Sequence, residues 1–117
     1  MTVDRYYKTR LKAYPHLWAE IESYRAKTSS TGAKYATLYH IYKGVTARKP
    51  RGIVECGTGL STVVICQAIA DIRKTDPSYA PRFVSLESEE FYWKHACALL
   101  PEKFRDVVEI RLSPLCE

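Results

Sequence analysis

Residues 53–61 read Ile-Val-Glu-Cys-Gly-Thr-Gly-Leu-Ser. An acid stands two positions before the first of two glycines, which are spaced by one residue. Glycine suits a turn that reverses tightly and lets backbone approach a ligand with no Cβ in the way. A helix opening near Ser61 would aim free N–H groups and partial positive charge into the same space, favouring a carboxylate or phosphate. Glu55 pulls the other way, repelling a pyrophosphate and attracting an ammonium group. A ligand bearing both an amine and a carboxylate satisfies both demands. A second acid, Glu87, ends the apolar run Phe83-Val84-Ser85-Leu86. An acid so placed can accept hydrogen bonds from both hydroxyls of a ribose. It follows Gly57 by thirty residues, against about twenty in the usual dinucleotide fingerprint. The loop expected over 74–81 absorbs the difference, since added loop length costs little.

These groups need strands and helices to bring them together. Residues 53–56 read as a short apolar strand, and 61–73 as a largely buried helix with Val64, Ile65, Ala68, Ile69 and Ile72 inward. A second strand is expected at Phe83–Glu87. Ser88 is expected to cap a helix with Glu89 and Glu90 in its first turn, running to about Leu100 before Pro101. A third strand is expected at Val107–Leu112. Ahead of them the pattern predicts a helix over 4–13 and another after Pro15, with Leu17, Ile21 and Tyr24 on one face. A loop with capping residues follows over 28–32. A third helix carries Tyr35, Leu38, Ile41, Tyr42 and Val45, with Gly44 near its end, and residues 47–52 form a connector. The alternation implies an α/β chain with right-handed crossovers, a parallel sheet of about three strands and helices on both faces.

The chain has 117 residues, so one domain at most, and no apolar run approaches a membrane span. Its N-terminus lacks the apolar segment of a secretory signal. Cys56, Cys66, Cys97 and Cys116 form no C-x-x-C pair. Cys56 and Cys66 fall where a buried, reduced residue is expected, so no zinc site or disulfide framework is expected and the chain reads as cytoplasmic. His16, His40 and His95 read as structural or surface residues. The net charge of +5 is uneven. Residues 1–52 hold eleven Lys/Arg against three acids, and 53–117 hold seven against ten. Seven of the nine tyrosines also lie in the first part. Basic residues among aromatics can bind nucleic acid. Their helical spacing favours the plainer reading of a tyrosine-lined inner stripe and a solvated basic face.

Glu55-Cys56-Gly57-Thr58-Gly59-Leu60-Ser61 resembles the first motif of class I S-adenosylmethionine-dependent methyltransferases, closest to the small-molecule O-methyltransferase-like members. Phe83–Glu87 resembles the second motif, and Val107–Leu112 the third strand. The resemblance covers about residues 33 to 117. It implies a Rossmann-like three-layer sandwich with S-adenosyl-L-methionine as cofactor, and leaves 1–32 as an N-terminal helical extension. Gly57, Thr58 and Gly59 would wrap the methionine part of the cofactor, with Glu55 near its amino group. Ser61 and Thr62 would offer backbone and hydroxyl donors to its carboxylate. Glu87 would hold the ribose hydroxyls, and Ser88 would lie along the adenine edge. Ser61 stands where many members carry a third glycine.

The family's sheet continues through four more strands, whereas residues 113–117 follow directly on the third. The remaining adenine contacts and the catalytic and acceptor-binding groups would lie beyond, so the domain reads as truncated, with no catalytic residue to nominate and an unidentified acceptor. In the family's strand order of 3-2-1-4-5 the first strand, normally central, becomes an apolar edge. Such an edge invites self-association or a partner chain. Two other readings stay open. One is an NAD(P)-binding Rossmann oxidoreductase fragment; the other is a non-catalytic interaction module using the basic, tyrosine-rich helices.

Overall fold

A computed structural model describes residues 2–28 and 33–114. The expected loop positions 29–32 and the last positions, 115–117, lie outside the described residues. Helix α1 (Val3–Lys12) is capped by Thr2, whose Oγ1 accepts from the Arg5 N–H at 3.2 Å. Helix α2 (Pro15–Lys27) begins on proline, whose missing N–H costs nothing in a first turn. Helix α3 (Tyr35–Arg48) continues past Gly44 into the expected connector. It stops where Lys49 turns left-handed at φ 47° and donates its N–H to Val45 O at 2.9 Å. Then come β1 (Gly52–Cys56), α4 (Leu60–Thr75), β2 (Arg82–Glu87), α5 (Glu90–Leu99), a 3-10 turn (Glu102–Phe104) and β3 (Glu109–Leu112). Strand β3 starts two residues later than expected. No helix is long and apolar enough to cross a membrane.

The chain is therefore α/β, with an open, wholly parallel three-strand sheet in the order β1-β2-β3. In register, Ile53 pairs with Phe83, Glu55 with Ser85, and Ser85 with Ile110. Because side chains alternate across a strand, Ile53, Glu55, Phe83, Ser85, Glu87 and Ile110 share one face. That face meets the helices. Ser61 and Thr62 of α4 bond Glu55, Ala96 of α5 borders a cleft with Glu87, and Cys97 and Leu100 border a hollow with Ile110. The other face carries Val54, Cys56, Val84, Leu86, Glu109 and Arg111. Val54 is 69% exposed, and Val84, though buried, lies outside the hydrophobic core.

The expectation of helices on both faces is thus corrected: among the described residues they cover one. The reason is topological. Both crossovers step in the same direction, and right-handed connections then place α4 and α5 on the same side. Cys56 also departs from expectation, being exposed and disulfide-bonded rather than buried and reduced. Cys66 is a buried free thiol, its pKa pushed up by burial and then by Glu55.

Helix α4 is buried around most of its circumference, including Leu60, Val63, Val64, Ile65, Cys66, Ala68, Ile69 and Ile72. The sheet covers one side of it, and α2 and α3 the other, through Leu17 and Ile21, and Leu38, Tyr42 and Val45. Helix α1 joins this core through Leu11. A polar clamp also ties α3 to α4: Tyr42 Oη donates to Asp71 Oδ2 at 2.5 Å, beside Gln67 and Lys74 on Asp71 Oδ1. Burial draws the Asp71 pKa up, but the bonds from Tyr42, Gln67 and Lys74 outweigh it and hold it below the usual carboxylate value.

Two substitutions test this packing by denaturant unfolding. Ile69→Ala, at 1% exposure, is expected to cost about 2–5 kcal/mol through lost burial and a cavity. Tyr42→Phe is expected to cost about 1 kcal/mol, because Asp71 keeps its other two partners.

Candidate functional site

The two acids and the glycine turn meet at the carboxyl ends of β1 and β2. Gly57 leaves β1 at φ 94°, a left-handed backbone that side chains resist, and its N–H donates to Leu86 O at 2.7 Å. An added Cβ there would touch nothing within 4 Å, so conformation alone selects glycine. Gly59 is different. Its φ of 174° is extended backbone open to any residue, and a Cβ would meet only Tyr24 Oη at 3.9 Å. Gly59 is the N-cap of α4. The N–H groups of Leu60 and Ser61, opening the helix, have no intrahelical partner.

Glu87 is nearly buried, at 9% exposure, and holds the turn from the neighbouring strand. Its Oε1 accepts from the Thr58 N–H at 3.3 Å, and its Oε2 from the Glu89 N–H at 3.2 Å. Each oxygen retains a lone pair. The expected cap at Ser88 is corrected here. Glu89 is the N-cap of α5 and has no side-chain cap bond. Ser88 is instead spent on the bend out of β2 and is half-buried beside it. The Glu87 carboxylate instead takes the N–H of the N-cap residue itself, Glu89.

Glu55 is enclosed by hydroxyls. It accepts from Ser61 Oγ at 3.0 Å, from Ser85 Oγ at 2.7 Å and from Thr62 Oγ1. Thr62 Oγ1 in turn accepts from the Gly59 N–H at 3.0 Å. A hydroxyl carries one proton, so with Ser85 donating to Glu55, Thr58 Oγ1 donates to Ser85 at 2.7 Å. Turn, strand and helix are therefore wired through one carboxylate. Burial raises its pKa, and bonds from Thr62, Ser85 and Ser61 partly offset that rise. Tyr24, on α2, is pushed up by its own burial and then by Glu55.

All eight sequence-selected residues, Glu55, Gly57, Thr58, Gly59, Ser61, Thr62, Glu87 and Ser88, belong to this one region. Their accessibility differs. Thr62 is 1% exposed and its hydroxyl is spent on Glu55 and Gly59. Ser61 donates to the same acid.

A cleft of about 190 Å³ opens between the turn and α5, bordered by Tyr24, Thr58, Gly59, Glu87, Tyr92 and His95. It is smaller than the roughly 300–1,000 Å³ of most small-molecule sites. A ligand of ordinary size would extend past the strand ends. Two larger hollows, near Lys49 and Tyr79 and near Thr2 and Tyr35, lie away from the turn.

Four residues of the region escaped the sequence reading. Ser85 is fully buried mid-strand; a hydroxyl within an apolar strand was the available signal. Tyr24 had the spacing of a core residue and is one, but it also borders the cleft. Tyr92 and His95 face the cleft from α5 at i and i+3. His95, read as a structural or surface residue, is half-buried and shares a 3.1 Å hydrogen bond with Thr28 Oγ1. Among the described residues no group of three metal-ligating side chains forms. The chain matches no protein-family model, no curated protein and no solved structure.

Because Glu55 holds its proton more tightly in the fold than in the unfolded chain, its contribution favours the fold at low pH. That contribution is lost as pH rises through the raised pKa. Glu55→Gln is therefore expected to flatten the fall in stability as pH rises above the ordinary glutamate value. At neutral pH it should lower stability by no more than about 1 kcal/mol. Denaturant midpoints across that range measure both, and an undiminished slope would contradict the assignment.

Proposed function

We propose that this chain binds S-adenosyl-L-methionine in a Rossmann-like, class I methyltransferase arrangement, and belongs to a protein that transfers the methyl group to an acceptor not identifiable from these residues. One observation carries the reading. A left-handed glycine turn preceded by an acid opens a helix, and a second acid on the adjacent parallel strand clasps that turn.

In this reading Gly57, Thr58 and Gly59 lie against the methionine part, and the N–H groups of Leu60 and Ser61 receive its carboxylate. Glu55 supplies negative potential for the amino group while its oxygens remain in the hydroxyl cage, so contact runs through Ser61 or a water. The free lone pairs of Glu87 accept the ribose hydroxyls, and Ser88 and Tyr92 flank the base. The cleft admits about a nucleoside, which suits that end of the ligand. The cofactor brings an already activated methyl group, so the protein's task is alignment of an acceptor in line with it. Acceptor-binding and catalytic groups would come from elements beyond those described. Strands added along the β1 edge, which no described strand covers, from the same protein or from a second copy, would also bring helices to the face that the described helices leave uncovered. The exposed Val54 supports that expectation of association.

A dinucleotide is the competing ligand, and Glu55 beside the would-be pyrophosphate site argues against it. Calorimetry with S-adenosylhomocysteine and with NAD separates the two. Binding of the first alone is expected, weakened at least about tenfold by Glu87→Ala, a loss the size of one charged hydrogen bond. Gly57→Val should weaken it and also lower thermal stability, because of its left-handed backbone. Gly59→Ala should change stability by less than about 1 kcal/mol yet still weaken binding, since only a ligand crowds that position. Binding of NAD without S-adenosylhomocysteine would overturn the proposal.

A further inference from the structure

The cations of the molecule fall into two differently treated sets. Of the seven in positions 53–117, Lys74, Lys94, Lys103, Arg105 and Arg111 each lie against a carboxylate, while Arg73 and Arg82 do not among the described residues. Among the described residues, none of the eleven Lys and Arg of positions 1–52 does. The few acids of that part are engaged elsewhere or set apart. Asp4 accepts the Tyr35 N–H at 3.2 Å, Glu20 pairs with Lys103, and Glu22 is exposed on α2.

Five of the eleven stand beside aromatic rings instead. Arg10 lies 5.6 Å from the Tyr39 ring and 6.0 Å from Tyr6, Lys12 5.5 Å from Trp18, and Lys43 5.7 Å from Tyr14. Lys8 and Arg25 both stand over Tyr35, at 5.9 and 4.5 Å. Arg10 also donates to Tyr39 Oη at 3.0 Å and Lys43 to Tyr14 Oη at 3.2 Å; a ring or a neutral phenol holds a cation in place without cancelling its charge. Helix α1 buries only Leu11, so its outward arc, from Lys8 through Lys12 and Arg5 to Tyr6 and Arg10, is cationic with one exposed ring. Helix α3 packs alongside it and adds Lys43. The result is an ordered, uncompensated positive surface on the side of the molecule away from the sheet.

We propose that this α1–α3 face docks single-stranded nucleic acid, with Arg5, Lys8, Arg10, Lys12 and Lys43 on phosphates and Tyr6 stacking on a base. This goes beyond the cofactor reading and does not depend on it. Repeating anions suit cations that are already positioned and unpaired. A ring 47% exposed beside them suits an unstacked base. A membrane surface fits poorly, because α1 buries Leu11 and shows only Val3 and Tyr6 as large exposed apolar side chains.

The test is fluorescence anisotropy of the full chain with a short labelled oligouridine strand across a salt series. Binding is expected to weaken with salt, with a log–log slope near about −3 for four to five phosphates. Neutralising R5Q/K12Q/K43Q should reduce the magnitude of that slope by about 2 and lower affinity at least tenfold. The control K74Q/K94Q/R111Q makes the same charge change in the other half and should keep affinity within about twofold. Tyr6→Ala should cost about tenfold. All of these side chains are surface-exposed or half-buried, and should the triple variant fail to fold, the wild-type slope and Tyr6→Ala still decide. The proposal is overturned by salt-insensitive or absent binding, by equal losses in both triple variants, or by equally tight binding of polyglutamate.

Discussion

Helix α4 is apolar on nearly every side, and a helix of that kind is stable only when enclosed from two directions. The sheet supplies one wall; α2 and α3 supply the other. Everything else in the architecture follows from seating this helix. Its N-terminus lands at the ends of β1 and β2 because Gly57 and Gly59 leave so little chain between strand and helix. The N-terminal helices must lie across its far side, which is why Tyr24 of α2 reaches the glycine turn. They are thus part of the core that positions the site rather than an appendage to it.

At the junction of strand, turn and helix, the physical chemistry centres on Glu55. A carboxylate taken out of water is costly unless its oxygens are satisfied. Three hydroxyls satisfy it here, two from the start of α4 just past the turn and one from β2, thirty residues on. The same arrangement gives the acid two aspects. It fastens the start of α4 to both strands, and it keeps negative potential beneath the space into which the helix directs its N–H groups. Glu87 repeats the pattern one strand over, taking two backbone N–H groups while keeping a lone pair on each oxygen.

The two halves of the chain handle charge by different means. Around the sheet and α5, cations meet carboxylates in exposed or half-exposed pairs, each contributing little to stability. On α1–α3 acids are scarce, and aromatic rings or tyrosine hydroxyls hold five of the cations instead. Such pairing packs the long aliphatic stems of Lys and Arg against rings, while the full charge remains at the surface.

Much of this was legible in the residues because local signals are strong. Apolar periodicity set the helices and strands to within a few residues. Pro15 marked the start of α2, and the glycine spacing located the turn. The acids at strand ends could be named because parallel strands put their carboxyl ends together. Other features depend on what approaches from elsewhere in the chain. Ser85 looked like an ordinary strand residue until β1 brought Glu55 opposite it. His95 and Tyr92 became cleft residues only when α5 docked beside α2. Ser88 has no capping role because α5 starts one residue later, with Glu89 as its N-cap. One-sided coverage of the sheet came from the direction of two successive crossovers, which no periodicity encodes. The sequence by itself determined which segments fold and which residue types stand at the glycine turn, since those follow from local backbone preference and burial. Tertiary structure alone decided that Glu55 sits in a hydroxyl cage rather than free at the turn, because its partners come from β2 and α4 and meet only when the sheet closes against that helix.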